Sequence, residues 1–211
     1  MAEQAPRLAR RLHSIAGVVP VGAFVVFHLF TNAAALKGAD AYNETARKMQ
    51  GLPLVVLVEI LVIAAPLFFH GIYGLFRIAT DVPDPSPGRR ALTVAPVRRA
   101  LTFAQQATGI ALFAFVLFHL WTARLVQIHD HGSLDLFHLM QAALANPWIR
   151  AAYVAGILSA TFHLSAGLFT FTETWNLAVT SRARRFVAAG AGILFLGLSA
   201  LGLSTVSAFR L

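Results

Sequence analysis

The chain contains no cysteine among its 211 residues, and only 12% of them are charged. The lack of cysteine excludes disulfides, iron–sulfur clusters with thiolate ligands, thiolate-ligated haem and covalently attached c-type haem. Soluble proteins have about 25% charged residues, whereas 57% of this chain is hydrophobic and its mean hydropathy is +0.68. These values exclude an ordinary soluble domain.

Five long apolar stretches predict an all-α, polytopic membrane protein made of a single domain, residues 1–211. About 20 residues at a rise of 1.5 Å cross a hydrocarbon core of about 30 Å. Helix-breaking residues, such as the prolines of segment 81–88, separate the stretches. The predicted transmembrane helices cover about 13–35, 54–79, 101–126, 148–172 and 185–209.

The basic residues predict the topology. The net charge is +8 and the pI about 11.3, but arginines that flank apolar stretches normally record orientation, so we expect no nucleic-acid partner. If the N-terminus is cytoplasmic, the inner segments hold eleven Lys and Arg residues and the outer segments hold six. This excess favours a cytoplasmic N-terminus and an outer C-terminus. The inner group is Arg7, Arg10, Arg11, Arg77, Arg89, Arg90, Arg98, Arg99, Arg182, Arg184 and Arg185, and the outer group is Lys37, Arg47, Lys48, Arg124, Arg150 and Arg210.

A cleavable signal peptide is the alternative interpretation of the first apolar stretch. Arginines precede it and Ala33-Ala34-Ala35 follows it, which superficially resembles a cleavage site. The stretch is long for a signal peptide, and the internal repeat requires this helix. We therefore expect it to remain in the protein.

An internal duplication carries four of the eight histidines. Phe27-His28-Leu29-Phe30-Thr31 matches Phe118-His119-Leu120-Trp121-Thr122, and the segment that begins Phe69-His70 matches the segment that begins Phe162-His163. The histidines are offset by 91 and 93 residues, so a two-helix unit occurs twice in the same orientation. Such parallel repeats are related by an axis along the membrane normal. The fifth helix has no counterpart.

The depth of each histidine predicts two pairs. His28 and His119 lie about 6–7 Å outward of the midpoints of their helices, and His70 and His163 lie about 5–6 Å inward of theirs. The two levels are therefore separated by on the order of 12 Å. Four-helix bundles build internal cofactor sites in this way, with one side chain from each helix.

Two facing imidazoles without further ligands favour a haem iron. Zinc and di-iron sites need three or four protein ligands, and no carboxylate lies one turn from any of the four histidines. A low-spin haem needs only two axial imidazoles, since its pyrrole nitrogens supply the rest. The sequence thus predicts two haem b groups, with His70 and His163 at the inner iron and His28 and His119 at the outer iron.

Small and basic residues at matching depths complete the predicted haem sites. Four glycines are expected to leave room for the macrocycles: Gly17, Gly74, Gly156 and Gly167. Four basic side chains are candidate partners of the haem propionates: Arg11, His13 and Arg77 at the inner haem, and Arg124 at the outer haem. The alternatives stay open, because intramembrane histidines also bridge helices by hydrogen bonding and glycines are common in close-packed membrane bundles. His129, His131 and His138 are interpreted as loop residues.

Glu59 is the one carboxylate within the predicted spans. It lies eleven residues before His70, near the predicted level of the outer haem. A buried acid can take up or release protons where a quinone is reduced or oxidised. Glu59 is therefore the candidate proton-transfer residue, the alternative being a neutral acid bonded to a backbone carbonyl. Pro66 is expected to kink the helix.

Motifs over nearly the whole chain are similar to those of a known family. They are Arg10-Arg11-Leu12-His13-Ser14, Phe27-His28-Leu29, Leu52-Pro53, Glu59, His70-Gly71-Ile72-Tyr73-Gly74, Thr108-Gly109, His119, Phe162-His163 and Thr174-Trp175. At these residues the chain resembles the cytochrome b subunit of succinate dehydrogenase/fumarate reductase, of the five-helix dihaem b558 type found with menaquinone in bacteria.

The resemblance implies the same two pairs of haem ligands that the depths of the histidines predict. It further implies a quinone site near the outer haem with Glu59, and a location in the bacterial cytoplasmic membrane. It also implies that the chain anchors a flavoprotein and an iron–sulfur subunit on the cytoplasmic face. Electrons from succinate would pass through the iron–sulfur subunit and both haems to the quinone. The chain itself has no dinucleotide motif or cluster ligands for succinate oxidation.

Other functions remain as alternatives. The chain could be the cytochrome b of a formate dehydrogenase, hydrogenase or nitrate reductase, although single histidines on four successive helices fit the succinate family better. A proton-coupled transporter could use Glu59 and the histidines as a relay. An anchor that has lost its haem fits least, because all four candidate ligands are present.

Overall fold

The computed structural model describes the backbone of residues 4–80, 95–125 and 135–210, and the side chains of residues 8–80, 100–123 and 135–210. The described residues form helices and short connections. Within these ranges, five helices are long and apolar enough to cross a membrane, which confirms the predicted all-α fold with five spans. Span I is Leu8–Lys37, span II Val55–Ala79, span III Ala100–Ala123, span IV Pro147–Thr174 and span V Ser181–Ala208. We call the end at which span I begins the inner end.

Span I changes its helical type along its length. An α-helix, Gln4–Ala16, continues into a π-helical turn, Gly17–Gly22, and then into a second α-helix, Ala23–Asn32. The span closes with a 3-10 turn, Ala33–Lys37. Pro20 lies inside the π turn, where its missing N–H removes one bond of the α-helical ladder.

Span II also contains a π-helical turn. Val55–Val58 is α-helical, Glu59–Ala64 is π-helical, and Ala65–Ala79 is α-helical again. Pro66 stands at the start of the last segment, so the predicted irregularity of this helix takes the form of the π turn before it. The two π turns contact each other.

Spans III, IV and V are more regular. Ala95–Leu120 is α-helical and is followed by a π turn, Trp121–Leu125. The side chain of Asn146 accepts hydrogen bonds from the first N–H groups of span IV, and that of Thr180 does so for span V. Span V packs along span IV, where Thr161 and Ser199 form a buried hydrogen bond of 2.8 Å.

Two connecting helices cover the outer end, where only connections were predicted. The first is Ala39–Gln50 and the second is Leu136–Ala145. Asn43 joins them, because its Nδ2 donates to Asp135 Oδ1 at 2.9 Å and its Oδ1 accepts from the backbone N–H of Phe137 at 3.0 Å. Asp135 also caps the second connecting helix by accepting from His138 N–H.

A buried apolar cluster lies beneath these connecting helices. Its buried members are Ala35, Phe137, Leu144, Tyr153, Val206 and Phe209. The cluster therefore joins both connecting segments to spans I, IV and V. Spans II and III instead expose most of their large apolar side chains, among them Ile72 and Phe103, as helices surrounded by lipid do.

Candidate functional site

The structure brings four histidines together in two pairs. The rings of His28 and His119 have centroids 5.7 Å apart and planes at 77°. Those of His70 and His163 have centroids 6.0 Å apart and planes at 86°. Each of the first four spans supplies one ring, and the pairs are those that the depth argument predicted.

Both separations fit one metal ion between two imidazoles. A histidine nitrogen binds a metal at about 2 Å, so two rings on opposite sides of an ion have centroids about 6 Å apart. Among the described residues, no group of three or more His, Cys, Asp or Glu side chains is placed to hold a metal. A metal with equatorial ligands of its own, as in a haem, therefore suits these two-imidazole pairs.

A cavity of about 890 Å³ surrounds the inner pair. Its size is within the range of pockets for organic ligands, about 300–1,000 Å³. Both ligand candidates and most of the residues predicted for the inner haem line it: Arg11, His13, Gly17, His70, Gly74, Arg77, His163 and Gly167. The cavity thus has a size, two imidazoles and cations that fit a haem with two propionates.

A backbone carbonyl fixes the orientation of His70. Its Nδ1 lies 2.9 Å from the carbonyl oxygen of His13. A carbonyl only accepts, so Nδ1 carries the ring proton and Nε2 is left with its lone pair. The ring of His13 also stacks on that of His70, with centroids 4.1 Å apart and planes at 1°. Metal-binding histidines usually donate their second N–H in this way.

His163 is held in the same manner by span III. Its Nδ1 lies 3.1 Å from the carbonyl oxygen of Gln105, whose side-chain Nε2 donates to the carbonyl of His163 at 3.1 Å. Sequence reasoning did not find Gln105, because any residue supplies a carbonyl. The one available signal was the repeat, since Gln105 follows His13 by 92 residues.

Glycines four residues after these carbonyls make room for the imidazoles. A Cβ at Gly17 would collide with Cε1 of His70, and a Cβ at Gly109 would lie 2.9 Å from Cε1 of His163. Gly109 follows Gly17 by 92 residues. The duplication therefore includes the carbonyl and the glycine that seat each inner histidine, and Gly109 was missing from the predicted site.

The other predicted glycines have different neighbours. A Cβ at Gly74 would lie 3.3 Å from Nε2 of His13, and one at Gly167 would lie 3.6 Å from Nε2 of Gln105. These are equivalent contacts of the two repeats, at the wall of the inner cavity. Gly156 lies against the ring of Phe115. Clearance for a haem stays a prediction at all four predicted positions.

The outer pair has side-chain partners instead. Nδ1 of His119 lies 3.3 Å from the hydroxyl of Tyr153. Asn32 donates from Nδ2 to the carbonyl of His28 at 2.8 Å, and the same Nδ2 lies 3.3 Å from both ring nitrogens of His28. Tyr42, on the first connecting helix, donates to Oδ1 of Asn32 at 3.1 Å. The two connecting helices, Ala39–Gln50 and Leu136–Ala145, form the outer-end cover. Through Tyr42 and Asn32 this cover is connected to the outer pair.

Burial and hydrogen bonding shift the pKa of two groups in this cover. Burial, with the neighbouring Tyr153, raises the pKa of Tyr42 to about 12. Hydrogen bonds from Asn43 and then from His138 lower the pKa of Asp135. His138 lies on the second connecting helix and is exposed, and its Nδ1 lies 2.6 Å from Oδ2 of Asp135.

The remaining candidate residues are placed as follows. The guanidinium of Arg11 lies over the ring of Trp175, 5.2 Å from its centroid. Glu59 begins the π turn of span II and is partly buried, between the exposed side chains of Val58 and Ile60. The side chain of Arg124, and His129 and His131 as a whole, lie outside the described residues.

Two comparisons with known proteins show the family of the chain. Residues 4–103 match the sequence profile of the succinate dehydrogenase/fumarate reductase transmembrane subunit family. The chain is also 36% identical over 200 residues to the succinate dehydrogenase cytochrome b558 subunit of Bacillus subtilis (strain 168), covering 95% of each chain. The chain therefore belongs to the family of succinate dehydrogenase/fumarate reductase transmembrane subunits, as its motifs predicted.

Proposed function

We propose that this chain is the dihaem cytochrome b anchor of a succinate dehydrogenase and carries electrons between an iron–sulfur subunit and a membrane quinone. The observation that carries the proposal is the pair of neighbouring imidazoles at each of two sites, with ring centroids 6.0 Å and 5.7 Å apart. A haem b bound at such a site supplies a one-electron iron couple.

At the inner site, His70 and His163 would be the axial ligands. The carbonyl oxygens of His13 and Gln105 hold the ring protons on Nδ1, which leaves both Nε2 atoms available. Gly17 and Gly109 let the two rings approach the backbones of spans I and III. These contacts orient the imidazoles before the cofactor binds, so little side-chain entropy is lost on loading.

Cations that line the inner cavity would receive the propionates. Arg11 and Arg77 both line it, and charge-assisted hydrogen bonds from guanidinium groups are a strong way to hold a carboxylate. His13 is a less direct candidate, because its ring stacks on that of His70. Arg124 remains the proposed propionate partner at the outer haem.

At the outer site, His28 and His119 would be the axial ligands of the second haem. We place the quinone, proposed to be menaquinone, close to this haem and to Glu59. Reduction of a quinone takes up two protons with two electrons, and the carboxyl of Glu59 would deliver protons at an apolar surface. The exposed Val58 and Ile60 beside it would give a lipid-soluble substrate access.

The proposed partners are a flavoprotein subunit and an iron–sulfur subunit. We place them on the cytoplasmic side, with the N-terminus, because Arg10, Arg11 and Arg77 lie at the inner end of the bundle. The chain would lie in the bacterial cytoplasmic membrane with its C-terminus outside. Electrons would enter at the inner site, which is nearest to that docking face, and leave from the outer site.

Quantitation of haem per polypeptide in the purified complex tests the proposal. The pyridine haemochrome method should give two haem b per chain. His70→Ala and His163→Ala should each lower the value to about one, because a bis-imidazole site loses an axial ligand. His138→Ala is the matched control and should keep two, since His138 is exposed and paired with Asp135.

Two results would contradict the proposal. A complex without haem would reject both haem sites and favour an anchor that has lost its haem. Two haems retained in both His70→Ala and His163→Ala would reject the inner ligand assignment.

A further inference from the structure

Tyr153 has a hydrogen-bonded position beside the outer histidine pair. It lies on span IV and is only 5% exposed. Its hydroxyl oxygen lies 3.3 Å from Nδ1 of His119 and 2.9 Å from Oγ1 of Thr122. The hydroxyl therefore connects a proposed haem ligand on span III to a threonine one turn further along the same helix.

The direction of these hydrogen bonds follows from their acceptors. Oγ1 of Thr122 lies 3.0 Å from the carbonyl oxygen of Phe118, and a carbonyl can only accept. The single hydroxyl proton of Thr122 therefore points to Phe118, and Oγ1 accepts the proton of Tyr153. The oxygen of Tyr153 is then free to accept from Nδ1–H of His119, which leaves Nε2 of His119 unprotonated.

We propose that Tyr153, supported by Thr122, is a positioning residue that holds His119 in its ligating tautomer and tunes the reduction potential of the outer haem. The inference rests on the proposed function, because it takes His119 as an axial ligand. A hydrogen bond from the second ring nitrogen raises the basicity of the ligand. A more basic imidazole favours the ferric iron, so the hydroxyl of Tyr153 lowers the potential.

The hydroxyl is separable from the packing of the ring. The Tyr153 ring contacts His119 edge-on, with centroids 5.6 Å apart, and it packs against Phe115 at 5.5 Å and Phe118 at 6.1 Å. Phenylalanine at position 153 would keep these contacts. Tyr153→Phe therefore removes the hydrogen bond to His119 and leaves the fit of the side chain unchanged.

The four histidines have different partners among the described contacts. The ring of His28 has Asn32 of its own helix as a neighbour. Backbone carbonyls serve the inner pair. At His119, by contrast, a single side-chain substitution can remove the acceptor.

A redox titration of the whole purified complex tests the proposal. The outer component is identified as the haem signal that His119→Ala removes. In Tyr153→Phe both haems should remain, the midpoint potential of the outer component should shift upward with a change in its low-spin electron paramagnetic resonance signal, and the inner component should not move. Tyr73→Phe, near His13, is the matched control and should leave the outer component unchanged.

Thr122 variants separate positioning from a general structural effect. Thr122→Val should shift the outer potential in the same direction but less, because Tyr153 without its own acceptor is a weaker partner. Thr122→Ser keeps the hydroxyl and should restore the wild-type potential. An unchanged outer potential and resonance signal in Tyr153→Phe would overturn the proposal.

The meaning of a loss of haem depends on whether the Tyr153→Phe variant or the wild-type complex shows it. If Tyr153→Phe loses the outer haem, the Thr122→Val titration decides, and an unshifted outer potential there overturns the proposal. Failure of the proposed function has a different result, because the wild-type complex would then contain fewer than two haems per chain before any substitution is made.

Discussion

Gly17 and the imidazole of His70 are in such close contact that no side chain fits between them. A Cβ at Gly17 would collide with Cε1 of His70. The ring cannot easily give way, because its Nδ1 is bonded to the carbonyl of His13 and its face is covered by the ring of His13. The position therefore requires glycine for a reason of space.

Gly17→Ala should displace His70 and lower the haem content of the purified complex from two per chain toward one. Overpacking of a fixed neighbour costs about 1–3 kcal/mol. Gly109→Ala should have a smaller effect, because its Cβ would lie 2.9 Å from Cε1 of His163. The measurement is haem per polypeptide, with the outer component retained in the optical spectrum.

Gly190→Ala is the control for these glycine variants. A Cβ at Gly190 would meet no described atom within 4 Å, so the substitution should keep both haems. Normal inner haem in Gly17→Ala would show that the His70 ring can move, and the argument from space would be wrong.

Gly17 was assigned to haem clearance from the sequence because it lies eleven residues before His28, on nearly the same face of a regular α-helix. Span I has eleven residues from Gly17 to His28, whereas span III has ten from Gly109 to His119. The extra residue of span I is accommodated in the π turn Gly17–Gly22, since such turns absorb one additional residue. An argument from regular α-helical spacing could not include that local change of pitch.

The histidine pairs were predictable because depth in a membrane follows directly from position along a helix. Their hydrogen-bond partners were not, because the acceptors of His70 and His163 are backbone carbonyls that no side chain identifies. The connecting helix Ala39–Gln50 was also missed. It is short and polar, and its packing depends on Asn43 reaching Asp135, 92 residues away.

The hydrogen bond between Thr161 and Ser199 should stabilise the packing of span V on span IV. Both side chains are buried, at 0% and 6% exposed, and their oxygens lie 2.8 Å apart. Thr161→Val should cost about 1 kcal/mol because it leaves Ser199 without this partner. The expected fall in Tm is about 2–4 °C, measured by thermal unfolding of the complex in detergent with its haem content unchanged.

A double-mutant cycle distinguishes this bond from a simple change of volume. Thr161→Val combined with Ser199→Ala should cost less than the sum of the two single variants. Each single variant leaves one buried hydroxyl without its partner, whereas the double variant removes both hydroxyls. Ser207→Ala is the control on the same helix. Its hydroxyl is exposed and bonds only to the carbonyl of Leu203 among the described contacts. Additive single effects would contradict a direct interaction.

Tyr42 should make the outer-end cover sensitive to alkaline pH. Its pKa is raised from 10.0 to about 12 by burial, so the folded protein keeps the phenol proton at a pH where the unfolded chain releases it. The contribution of the Tyr42 phenol to the free energy of unfolding is therefore fully present below pH 10 and is lost between about pH 10 and 12. The loss is about 2–3 kcal/mol, at about 1.4 kcal/mol for each unit of pKa.

Ultraviolet difference absorbance of tyrosinate checks this expectation. The wild-type protein should contain a phenol that ionises near pH 12, and Tyr42→Phe should remove that component. Tyr42→Phe should also abolish the corresponding part of the alkaline loss of Tm. If Tyr42→Phe instead removes a component that titrates near pH 10, the phenol is accessible to water and its bond to Asn32 does not close the cover.

Glu59→Gln should slow quinone reduction and leave both haem spectra intact. Glutamine keeps the size of the side chain but cannot release a proton, and general acid–base groups contribute about 10²–10⁴-fold to a rate. Glu44→Gln is the matched control. Glu44 is exposed and paired with Lys48 at 2.7 Å on the first connecting helix, so its substitution should not affect turnover. The measurement is succinate-dependent quinone reduction by the purified complex, with reduced-minus-oxidised spectra recorded on the same samples. Undiminished turnover in Glu59→Gln would exclude a proton-transfer role for this carboxyl, whereas altered haem spectra would show that the substitution disturbs the haem sites instead.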